Sequence, residues 1–174
     1  MIARLLLLVF AAWLGSAAAH AQSLSDLVND AKADWMFAQW EAQSDSGDTV
    51  KLNISWDLDK HVAILHVKTS DMESKGYTVI DPAKGSAVYY SFDNRGSVGK
   101  GSWEMESDEL TLRVEIQSSE RDPFKVAFVF GGSAESGLEI RMHPISSSGD
   151  LEASSRTYKF KKAKAPAPAA TKAK

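Results

Sequence analysis

The chain has 174 residues, with 20 Lys and Arg, 23 Asp and Glu, four His and no Cys, for a net charge of −3. The missing cysteine excludes a disulfide scaffold, a cysteine nucleophile, iron–sulfur clusters, thiolate zinc sites and a lipid-modified N-terminal cysteine. The charge is uneven along the chain: residues 22–158 hold 13 basic and all 23 acidic groups, a balance of −10, whereas residues 159–174 hold six lysines and no acid. About 140 residues is one domain's worth of chain, enough for a sizeable core and too little for two.

Residues 1–21 read as a secretory signal peptide. Arg4 precedes an apolar run over 5–15, and Ala19 and Ala21 supply the small side chains of a cleavage site, which places cleavage after Ala21. The run is too short for a membrane span, which needs about 20 apolar residues. An export signal on a chain without cysteine points to a periplasmic or secreted protein. A short helix then opens the domain, with Ser25 as its cap and Leu24, Leu27, Val28 and Ala31 as its apolar face.

From about residue 34 the pattern changes to alternation. Candidate strands cover 35–43, 49–57, 61–69, 76–81, 86–92, 97–105, 109–118, 123–131, 137–143 and 154–161. Between them lie Asp-, Asn-, Pro- and Gly-containing turns such as Asp81-Pro82-Ala83-Lys84-Gly85 and Asp93-Asn94-Arg95-Gly96, where proline presets φ and glycine accepts positive φ. In 49–57, Val50, Leu52, Ile54 and Trp56 alternate with Lys51, Asn53, Ser55 and Asp57; 109–118 and 137–143 repeat the pattern. One buried and one wet face, joined by short turns, predicts an all-β, antiparallel up-and-down barrel of 8–10 strands over residues 22–162, with a sandwich as the alternative. Residues 163–174, of Ala, Lys, Pro and Thr only, read as a disordered tail.

The early Trp40, Met72-x3-Gly76-Tyr77, Asp81-Pro82, Tyr89-Tyr90, Phe92-Asp93-Asn94-x-Gly96 and Gly101-x-Trp103 resemble the lipocalin-like, calycin-type exported bacterial barrels of unassigned function. The resemblance spans roughly residues 34–160. It departs from true lipocalins at the first strand, where Ala38-Gln39-Trp40 stands in place of their Gly-x-Trp. It implies a ligand cavity and no defined catalytic residue.

The aromatics Trp40, Trp56, Tyr90, Phe92 and Trp103 come from separate strands and are expected to converge on one interior, with His66 and Met105, as a site for a small apolar ligand; the alternative is that they fill a solid core. Such barrels in some cases hold haem by one histidine, which makes His66, sharing a face with Val62 and Ile64, or His143 an axial candidate; otherwise no cofactor is expected. Gly99, Gly101, Trp103 and Met105 share a face, the glycines marking a bend or room for a neighbouring group. Nucleophilic catalysis finds no Gly-x-Ser-x-Gly, the Glu104/Glu106 pair is expected to lean outward, and no histidines have metal-site spacing. The acidic domain disfavours nucleic acid. A second class of function is action at the cell envelope, through the outer surface and attraction of the lysine tail to anionic polymers.

Overall fold

A computed structural model describes residues 22–44, 47–107 and 109–163. The expected signal peptide and all but the first residue of the expected tail lie outside them. Helix α1, Leu24–Asp30, is capped by Ser23 rather than Ser25: Asp26 donates its backbone N–H to the Ser23 hydroxyl, and the Asp26 carboxylate accepts from the Ser23 backbone. The pair is a capping box two residues earlier than the apolar face alone suggests.

Ten strands follow: β1 Gln39–Gln43, β2 Thr49–Asp57, β3 Val62–Lys68, β4 Glu73–Asp81, β5 Ser86–Asp93, β6 Val98–Glu106, β7 Glu109–Gln117, β8 Phe124–Ser133, β9 Gly137–Pro144 and β10 Arg156–Lys162. Each pairs antiparallel with its neighbours in sequence, and β10 returns to β1, so the sheet is a closed barrel and not a sandwich. Closure is narrow. It rests on Trp40↔Lys162 and Glu41↔Lys161, extended by the Ala163 N–H donating to Gln39 O at 2.9 Å. Ala163, read as the start of the tail, therefore still belongs to the sheet.

The first strand begins four residues later than its alternation suggests. Asp34–Met36 form a 3₁₀ turn instead, which lets the Trp40 indole N–H donate back to Met36 O at 2.8 Å and lays Phe37 flat on Trp56, ring centres 4.1 Å apart. The expected turn chemistry is present: Asp81 and Asp93 accept backbone N–H groups two residues on, and Gly85 and Gly96 have φ of 65° and 80°.

Register decides which side chains enter the barrel. Val50, Leu52, Ile54, Leu65, Leu112, Val114, Val126, Phe130, Leu138, Ile140 and Phe160 are buried in a single core with Trp40. On β4, β5 and β6, register neighbours Gly76, Ser91 and Gly99 form an inward row of small residues. The room left by Gly76 is taken by Tyr89, whose ring lies where a Cβ on Gly76 would be, and whose phenol is hydrogen-bonded by Ser91; at Gly99 the Ser91 hydroxyl and Val114 close in instead. Burial pushes that phenol's pKa up from its ordinary value. Gly76 thus admits a core side chain.

Candidate functional site

One end of the barrel is formed by the turns after β2, β4, β6 and β8, and here α1 lies across the mouth. Between helix and barrel remains an apolar cavity of about 90 Å³. Half its lining comes from the opening segment, with Leu24, Leu27, Val28 and Phe37 among the contributors; the barrel supplies Ile54, Ala63, Leu65, Ala87, Leu110, Thr78 and Trp103. The helix was legible as amphipathic, and its apolar stripe is what roofs this space.

The polar chemistry of the cavity is a single bond. The Trp103 indole N–H donates to the Thr78 hydroxyl at 2.9 Å, and Thr78 is buried. A buried N–H without a partner would cost about 1–3 kcal/mol, so this bond allows an indole to face an otherwise apolar chamber. Trp103 also packs against Phe130, ring centres 5.2 Å apart, which fixes its orientation.

The structure divides the seven residues expected to gather at a ligand. Trp103 lines the cavity. Met105, one step further on the same face, is at the rim and 55% exposed. Trp56 points inward at the same end of the barrel but is occupied by its stack on Phe37. Trp40 is deep in the core, edge-on to Trp35 at 6.0 Å, with Lys162 over its ring. The remaining three do not enter the interior, which corrects the expected convergence. His66 pairs by register with Asn53 and Lys75 on the outer wall, and Tyr90 and Phe92 face outward from β5, 39% and 53% exposed.

His66 Nε2 is hydrogen-bonded to Glu73 at 2.8 Å, and Lys68 adds a second contact to that carboxylate at 3.2 Å. These two bonds, His66 first, hold the Glu73 carboxyl below its ordinary value. His143 also faces outward and its Nδ1 is bonded to Glu152 O at 2.9 Å. Neither histidine lines the cavity, and among the described residues no three His, Asp or Glu cluster as metal ligands.

Glu104 and Glu106 lie on the outer face, as their alternation with Trp103 and Met105 requires, and both are engaged by Arg113, at 3.3 and 2.9 Å. Arg141 Nη2 donates to both carboxylate oxygens of Glu109, at 2.5 and 2.6 Å. This ionic lattice, with the 145–155 loop reached by Arg113 through Gly149 O, covers the outward-facing but buried Thr111, Ala127 and Val129. A larger hollow of about 760 Å³ lies at the opposite end against Phe124, Lys125 and Ser146–Gly149, walled mainly by exposed residues, with serine and charged groups.

Among known proteins, the chain matches no family model, and no curated protein shows significant sequence similarity to it. The closed antiparallel barrel with one short helix is compatible with a calycin-like fold. No helix among the described residues is long and apolar enough to cross a membrane.

Proposed function

We propose that this protein is a non-catalytic binding barrel, related to the lipocalin-like exported proteins its turns and aromatics resemble, and that it takes a small apolar molecule into the cavity beneath α1. The observation that carries this reading is the cavity itself: an apolar space at the mouth of the barrel, with one satisfied polar pair. Export, with cleavage after Ala21, is part of the proposal and rests on the sequence of residues 1–21.

Size limits the ligand. An apolar cavity of about 150 Å³ holds benzene or xenon, and drug-sized ligands occupy about 300–1,000 Å³. A space of about 90 Å³ admits a slender group such as the end of an alkyl chain. Anything larger displaces Leu24, Leu27 and Val28 by lifting α1. Native mass spectrometry of the purified protein, with solvent extraction, is expected to find a co-purified apolar molecule. Short and medium-chain fatty acids are expected to quench fluorescence through Trp103, and Trp103→Phe to remove that quenching. An empty barrel that no fatty acid, isoprenoid or benzene quenches would overturn the reading.

A further inference from the structure

The outer wall of β3–β6 differs from the rest of the surface. Strands with one wet face alternate apolar and polar residues, but here the outward positions are apolar too. Register places Ile64, Tyr77 and Tyr90 in one row across β3, β4 and β5. Val79 and Val88 form a second row on the side of the α1 end, and Phe92 with Val98 a third on the other side. Tyr90, Phe92 and Val98 are each at least 39% exposed, so the patch is open at its centre and toward one side.

Two lysines flank it. Lys75 stands between His66 and Phe92 in one row, and Lys100 lies beside Tyr90, its Nζ 5.9 Å from the ring centre. Among the described residues neither lysine is ion-paired. The nearest carboxylates by register are already engaged: Glu73 by His66 and Lys68, and Glu115 by Lys125. A domain that carries −7 over residues 22–162 therefore presents, on this wall, aromatic and branched side chains flanked by unpaired cations.

We infer that this wall docks on an anionic lipid surface. Tyrosine and phenylalanine settle at the boundary of headgroup and acyl region, lysines keep their stems on apolar surface while their ammonium groups reach anionic headgroups, and the two effects add. Face-to-face docking of two copies would instead bring four unpaired lysines together. This inference is independent of the cavity: it uses the outside of β5, where the cavity uses the inside of β6.

Because the chain lacks cysteine, a single one can be labelled at will. The test places an environment-sensitive fluorophore at Phe92→Cys, and, on the far wall, at the exposed Thr157→Cys of β10, in the full mature chain. Vesicles of phosphatidylcholine with about 30% phosphatidylglycerol are expected to shift the emission at position 92 to the blue and leave position 157 unchanged. Pure phosphatidylcholine should act weakly. The double substitution K75Q/K100Q should lower partitioning about 30-fold, about fivefold per lysine. Val98→Cys serves as the reporter should the Phe92 variant not fold. An equal response at 92 and 157, as adsorption through the lysine tail would give, or no response at 92 or 98, overturns the inference. A shift that grows with protein concentration in the absence of lipid also overturns it, and makes the wall an interface between copies.

Discussion

Filling the cavity from within separates a binding site from a packing imperfection. Ala63 on β3 is buried, lines the space under α1 and neighbours Thr78 by register. Ala63→Leu adds three carbons there. At about 0.8 kcal/mol per buried methylene the ceiling of the gain is about 2.4 kcal/mol, and ordering the longer side chain removes about 0.5–1 kcal/mol of that. The expected net stabilisation is about 1–2 kcal/mol, which raises Tm by about 3–7 °C in a domain of about 140 residues. The same leucine occupies the volume a ligand needs, so fatty-acid quenching of Trp103 should weaken at least tenfold. Urea denaturation followed by circular dichroism measures the first effect and fluorescence titration the second. In a filled core the added carbons would overpack and cost about 1–3 kcal/mol. A loss of more than 1 kcal/mol would therefore refute both the cavity and the function drawn from it.

Trp40→Phe should destabilise by about 2–4 kcal/mol in urea, because it strands the buried Met36 carbonyl, weakens the Trp35 contact and sits at the two-pair closure of β1 on β10, while leaving ligand affinity unchanged. Gly76→Ala should cost about 1–3 kcal/mol, since the new Cβ meets the Tyr89 ring; in a double-mutant cycle with Tyr89→Val the two changes should couple by at least about 1 kcal/mol. Glu73 is held down by His66 and Lys68, so its contribution is present above the ordinary glutamate value of 4.5 and is lost as pH falls below it; NMR titration should place Glu73 under 4.5, and His66→Ala should move it back up. Thr78→Val leaves the Trp103 N–H unpaired and should cost about 1–3 kcal/mol, unless Trp103→Phe is introduced with it.

The barrel was legible because most strands have one wet face. Val50, Leu52 and Ile54 alternating with Lys51, Asn53 and Ser55 leave no doubt about which side is in, and ten such segments with short turns have few ways to avoid closing. The site was legible only where this condition held. Trp103 was assigned inward because Lys100, Ser102 and Glu104 mark the other face of β6. On β5 the run Ala87-Val88-Tyr89-Tyr90 is apolar on both sides, so alternation carries no sign, and the large exposed rings Tyr90 and Phe92 read as interior residues of a ligand site. His66 failed for the same reason, since Val62 and Ile64 share its outward face. The deciding signal was Gly76, whose missing side chain makes room for Tyr89 and so marks the inward face of β4 and β5. The roof of the cavity was in view as the stripe of α1, but nothing local says that a helix turns back over the mouth of its own barrel.

An unfilled space has to be maintained against the tendency of cores to close. At about 24 cal/mol per Å³, a dry cavity of about 90 Å³ forgoes roughly 2 kcal/mol relative to a packed interior, a large share of the 5–15 kcal/mol that holds a domain folded. The same barrel shows that it can fill space where it needs to: Tyr89 takes up the room made by Gly76 and Ser91. Small residues also face the α1 end, at Ala63 and Ala87, yet the rings there, Trp103 and Phe37, border the space without filling it, and the covering element is a seven-residue helix. A helix that short is marginal by itself and is held in place by the apolar contacts it makes. Lifting it exposes Leu24, Leu27 and Val28, and a ligand's apolar group entering the space replaces those contacts and recovers the forgone packing. The ligand that binds best is then one that fills the cavity without fully displacing the helix, and affinity should rise with chain length until α1 is forced off the mouth.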